Sequence, residues 1–119
     1  MPAKFSRSLR LVNARDFGLV FKCQRRVSVR GLALYYSTSQ REHSTSRLGL
    51  AISKKHARRA VSRNLIKRLV RESFRQQSDK LPMTDCVVVT RPGVDKLSRS
   101  ELHLATQLLF QRFQATRLK

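Results

Sequence analysis

Residues 46–91 change hydrophobic period twice, and that sequence of periods leaves few folds open. R-L-G-L-A-I-S-K at 47–54 alternates with period two, placing Leu48, Leu50 and Ile52 on one face and Gly49, Ala51 and Ser53 on the other. Residues 55–76 have the period of a helix. Leu65, Ile66, Leu69 and Val70 gather on one side, while Arg63, Asn64, Lys67, Arg68, Arg71 and Arg75 gather on the other. Glu72, one turn after Arg68, is predicted to hold that guanidinium. D-C-V-V-V-T-R at 85–91 is apolar on both faces, as an interior strand is. Strand, helix, strand in this order allows a parallel pair joined by a crossover helix. The small face of the first strand leaves room for a helix backbone or a ligand to approach the sheet.

The flanking segments extend the pattern. Asn13 caps a short helix signal, with Asp16 in its first turn and Phe17, Val20 and Phe21 on one face. R-V-S-V-R, a bend at Gly31 and L-A-L-Y-Y-S-T read as two strands, followed by the polar connection Q-R-E-H-S-T-S. Pro82 lies in the loop after the central helix. Ser98 with Glu101 forms an S-x-x-E capping box, and Leu102, Ala105, Leu109 and Phe113 form the stripe of a last helix. The predicted order is α-β-β-β-α-β-α. Strands run together with helices on one face predict an α+β two-layer sandwich. Its 119 residues predict one domain, 1–119, with 1–12 a basic extended segment.

Charge narrows the function. Lys and Arg number 26 against 7 Asp and Glu, a formal net charge of +19, yet 40% of residues are hydrophobic. A folded core under a strongly positive surface captures polyanions. Nucleic acid is favoured over an anionic membrane. No run of about 18 apolar residues predicts a spanning helix, and the N-terminus lacks the apolar run of a secretory signal. Cys23 and Cys86 stand far apart and read as two reduced thiols of a cytosolic protein. His43, His56 and His103 are scattered, without zinc spacing. No phosphate-cradling glycine motif or nucleophile elbow occurs. The sequence thus predicts no catalytic residue and no metal held by the protein.

Basic residues on a helix ordinarily mean a solvated face. Here nine Lys or Arg fall between Lys54 and Arg75 against one acid. Arg63, Lys67 and Arg71 repel at i, i+4 spacing by about 0.2–0.5 kcal/mol per pair. A helix carrying that cost presents its charge to a polyanion. A DNA reader would enter the major groove, but a strand precedes this helix rather than the first helix of a helix-turn-helix. A stripe of Arg and Lys suits the phosphates and riboses of folded RNA. Charge alone leaves a DNA-binding protein and a ribosomal or other structural RNA-binding protein open.

S-K-K-H-A-R-R-A-V-S-R-N-L-I-K-R-L-V-R-E-S-F-R at 53–75 resembles the signature of the bacterial ribonuclease P protein subunit, as does N-A-R-D-F-G-L-V-F-K at 13–22. The resemblance covers nearly the whole chain. It implies a four-stranded sheet with a left-handed βαβ crossover, like domain 2 of ribosomal protein S5. It also implies a cytoplasmic protein that binds the catalytic P RNA and the 5′ leader of precursor tRNA, with no obligate protein partner. In that family the RNA and its Mg²⁺ perform the hydrolysis, and the protein alone is inactive. It supports the RNA fold, raises its affinity for metal and grips the leader. Carried across residue by residue, Lys54, Lys55, Arg58, Arg59, Arg63, Asn64, Lys67, Arg68 and Arg71 are the expected P RNA contacts. Phe17, Phe21 and Tyr35 are the expected aromatics of a cleft for the single-stranded leader. One position departs: Leu65 stands where the signature has its second arginine, and Arg58, Arg59 or Arg68 are the candidates to supply the missing charge.

Overall fold

The computed structural model describes residues 25–36, 47–77 and 85–115. Its elements are β1 (Arg25–Val29), β2 (Leu32–Tyr36), β3 (Arg47–Ala51), α1 (Ala60–Gln77), β4 (Asp85–Thr90), a 3-10 turn (Val94–Lys96) and α2 (Arg99–Gln114). The helix expected at Asn13–Cys23, the basic segment 1–12, and Phe17 and Phe21 lie outside the described residues.

β1 and β2 form an antiparallel hairpin in which Val29 pairs with Leu32. The turn needs Gly31: its φ is +81°, and a Cβ there would meet Leu97 Cδ1 at 2.9 Å and Val94 Cα at 3.1 Å. β2 pairs antiparallel with β4, and β4 pairs parallel with β3, giving the sheet order β1-β2-β4-β3. The parallel pair is therefore the one the 46–91 pattern allowed, and D-C-V-V-V-T is interior as its doubly apolar composition required.

Both helices lie on one face of this sheet. Leu32, Leu34, Leu48, Cys86 and Val88 meet Ile66, Val70 and Phe74 of α1 and Leu102, Leu109, Phe110 and Phe113 of α2 in one core. Tyr36 joins it, with its ring 5.3 Å from that of Phe113. α2 begins at the expected box: the Ser98 hydroxyl accepts the Glu101 N–H at 3.1 Å, and the Glu101 carboxylate accepts the Ser98 N–H at 2.9 Å. Its far end is tied to β1 by the Arg112 guanidinium, which donates to the Ser28 carbonyl at 2.6 Å. Phe110 and Thr106 are buried beside the four expected stripe residues. The stripe is wider than those four residues because α2 packs against α1, β1 and β2 together.

The opposite face carries the alternate residues of each strand. Val87 is fully buried there, with Tyr35, Ala51 and Val89 packed on it. Tyr35 and Tyr36 thus point to opposite sides, and Tyr35 is the one on the helix-free side of the described structure.

A candidate nucleic-acid interface on the central helix and its loop

α1 begins at Ala60, not near Lys55. Residues Lys54–Arg59 form a folded loop, which corrects the helix predicted from 55. The reason is a set of competing hydrogen bonds. The Ser53 carbonyl accepts the N–H of Ala57 at 2.9 Å and of His56 at 3.3 Å, closing a turn on itself. The Ser53 hydroxyl accepts the Lys55 N–H at 3.1 Å, a local bond that competes with helix.

Three further contacts, made by two residues beyond it, anchor this loop. The Thr90 hydroxyl, at the end of β4, accepts the Ser53 N–H at 3.0 Å. His56 Nδ1 lies 3.0 Å from the Thr90 carbonyl, which fixes the proton on that nitrogen. The Asp95 carboxylate accepts the Arg58 N–H at 3.1 Å. Ala57 is fully buried beneath the loop. Lys54, Lys55, Arg58 and Arg59 are consequently exposed on a backbone held at several points.

Arg63 corrects a second expectation. Its guanidinium turns back along the chain and donates to the carbonyls of Ala57 at 3.1 Å and Arg58 at 2.8 Å. It closes the loop instead of joining the outward stripe. Lys67 is half-buried at the border of the core, while Asn64, Arg68 and Arg71 are exposed. Glu72 pairs with Arg75 at 2.7 Å and not with Arg68. At i, i+3 Arg75 competes for the carboxylate, and Arg68 remains available to a partner. Leu65, the departure from the signature, packs half-buried against the core.

The second candidate surface is the sheet face of Tyr35. Its hydroxyl accepts from Arg26 Nη1 at 3.4 Å, and the two residues are register partners across β1 and β2. Gly49 and Ala51 on β3 keep the same face low. At one end Arg47 and Asp85, also register partners, form a forked pair with Nε–Oδ1 at 2.9 Å and Nη2–Oδ2 at 2.8 Å. The Cys86 thiol points the other way into the core, where burial pushes its pKa up and leaves it an inert hydrophobe. Among the described residues no three His, Cys, Asp or Glu side chains gather as a metal-binding group.

Thr90, Asp95 and Arg26 were not legible as contributors. Each acts through a neighbour 9 to 37 residues away in sequence, and no local pattern marks that.

A sequence profile described as Ribonuclease P matches residues 5–114. The chain belongs to the ribonuclease P protein family. It is 45% identical over 98 residues to the ribonuclease P protein component of Nitrosococcus oceani, covering 82% of this chain and 81% of that one. Against the corresponding protein of Haemophilus influenzae identity is 43% over 108 residues, covering 91% and 89%. The fold is similar to the RNase P protein of Staphylococcus aureus, with a TM-score of 0.76, 26% identity and coverage of 87% and 94%. It is also similar to that of Thermotoga maritima in complex with 1-(4-fluorophenyl)-2-thiourea, with a TM-score of 0.72, 26% identity and coverage of 91% and 100%. The ribonuclease P signature of this chain therefore spans two structural units: the anchored loop Lys54–Arg59 and the exposed face of α1.

Proposed function

We propose that the chain is the protein subunit of a bacterial ribonuclease P ribonucleoprotein, acting in tRNA 5′-end maturation. The anchored cationic loop and the Asn64–Arg68–Arg71 face of α1 bind the catalytic RNA. The sheet face of Tyr35, with Phe17 and Phe21, takes the single-stranded leader of precursor tRNA. The RNA and the Mg²⁺ it holds supply the hydrolysis. This chain's residues bind and orient: the fixed loop presents cations without an ordering cost at each encounter, and an aromatic on an open sheet face stacks on unpaired bases. The complex forms in the cytoplasm and needs no second protein.

The observation that carries this reading is the loop at Lys54–Arg59, whose backbone is held by Thr90, Asp95 and Arg63 while its four cations face outward. A solvated basic patch would need no such anchoring. The test is reconstitution with a P RNA transcript and precursor tRNA at low Mg²⁺. The expected result is stimulation of 5′ cleavage by the protein and none by protein freed of RNA. A structural RNA-binding protein of similar fold would give no stimulation, and specific cleavage by RNA-free protein would overturn the division of labour.

A further inference from the structure

The first turns of α1 and α2 meet in a groove of about 400 Å³, lined among the described residues by Val61, Asn64, Leu65, Arg68 and Arg99. That volume falls in the range of about 300–1,000 Å³ typical of small-ligand sites. Arg99 belongs to no part of the signature. Val61 is 73% exposed, the most open large apolar side chain among the described residues. It stands one helical turn from Leu65, as Asn64 does from Arg68. Asn64, Arg68 and Arg99 make no hydrogen bond or ion pair among the described residues. The groove therefore combines an apolar floor, one amide and two unpaired guanidinium groups.

That combination selects its occupant. A duplex backbone would press phosphates against Val61 and Leu65 and lose hydration without return. An unstacked nucleobase has apolar faces, a hydrogen-bonding edge and a phosphate on either side, which is how single-stranded RNA segments are recognised. We propose that this groove takes one unpaired nucleobase of the catalytic RNA. The base lies on Val61 and Leu65, its edge meets the Asn64 amide, and its flanking phosphates meet Arg68 and Arg99. The inference rests on the reading of this chain as the RNA-binding subunit, and it extends the interface from α1 onto α2.

The test separates apolar from ionic contact. Binding of a P RNA transcript is measured over a salt series for the wild type, Val61→Ser, Val61→Thr and Arg99→Ala. Val61→Ser is expected to weaken binding by about three- to tenfold, by the same factor at every salt concentration, as loss of a few tens of Å² of apolar contact does. Val61→Thr keeps the branched shape that the helix sees and is expected to change in the same direction by less. Arg99→Ala is expected to lower the slope of log affinity against log salt by about one. A photo-crosslinking amino acid at position 61 is expected to join to a single unpaired nucleotide. Wild-type affinity in both Val61 variants, or crosslinks confined to paired helices, would overturn the site while leaving the functional reading intact. Absence of wild-type binding to P RNA would overturn both.

Discussion

Arg63 hydrogen-bonds through its guanidinium to the carbonyl oxygen of Arg58 at 2.8 Å, so one signature cation fixes the backbone that carries another. The side chain also reaches the Ala57 carbonyl. Arg63→Ala is expected to cost roughly 1.5–3 kcal/mol of stability, the worth of hydrogen bonds to a charged group. In the free protein, amide exchange at residues 55–59 is expected to accelerate. Unchanged exchange there would show that the bonds do not hold the loop.

Arg68 is the contrasting case. It is exposed and Glu72 is engaged by Arg75, so Arg68→Ala is expected to leave the denaturation midpoint unchanged. It is expected to weaken assembly with the catalytic RNA and to lower the salt slope by about one. The wild-type slope itself is expected to be steep: neutralising about 6–10 phosphates costs about 10³–10⁵ in affinity between 50 and 200 mM salt on duplex DNA. A flat response would mean the cationic face is idle.

Thr90 tests the anchoring from the other side. Thr90→Val keeps the shape and removes the hydroxyl that accepts the Ser53 N–H. The expected loss is about 1–3 kcal/mol for leaving a part-buried donor unsatisfied, read by chemical denaturation. A weaker affinity for the catalytic RNA is expected to accompany it although no charge has been removed, with the salt slope unaltered.

Glu101 gives a pH dependence. Hydrogen bonds from the Ser98 N–H and hydroxyl, with a smaller contribution from the nearby Arg30 charge, hold its pKa below the ordinary value of 4.5. A carboxyl group depressed in the folded state adds stability that is full above its unfolded pKa and is lost as pH falls through the folded value. Glu101→Gln retains the capping geometry without the titration. The difference in denaturation midpoint between wild type and Glu101→Gln is expected to shrink as pH is lowered below about 4.5. A difference independent of pH would remove the charge from the account.

Tyr35 addresses the leader. Tyr35→Ser is expected to leave assembly with the catalytic RNA intact and to weaken precursor tRNA relative to mature tRNA, because only the precursor has an unpaired segment to stack. Each stacked base is worth about 1–3 kcal/mol. Phe17→Ala is expected to act in the same direction. Paired titrations of the holoenzyme with both tRNA forms read the effect, and equal loss for both would make Tyr35 a packing residue.

The parts of the fold that were legible in sequence are those written in local periodicity. Alternation in Leu48–Ile52, the doubly apolar Cys86–Val89 and the Ser98–Glu101 box each specify an element by themselves. The start of α1 was not legible, because Lys55, Arg58 and Arg59 are good helix formers. Tertiary bonds from Thr90 and Asp95 override that propensity. The direction of Arg63 was hidden for the same reason. On a helical wheel it belongs with Lys67 and Arg71, and only the carbonyls of the folded loop turn it inward.

The position of β4 bears on the order in which the protein becomes competent. It is the last described strand in sequence, yet it lies between β2 and β3, and β3 has no other neighbour in the described sheet. Thr90 and Asp95, which hold the cationic loop, come at or after its end. A growing polypeptide can make the β1–β2 hairpin early, but β3 lacks its partner strand, and the loop at Lys54–Arg59 lacks its bonds to Thr90 and Asp95, until Asp95 has left the ribosome. The full set of anchors is thereby reserved for chains translated past that point, and shorter fragments carry the four loop cations without the Thr90 and Asp95 bonds.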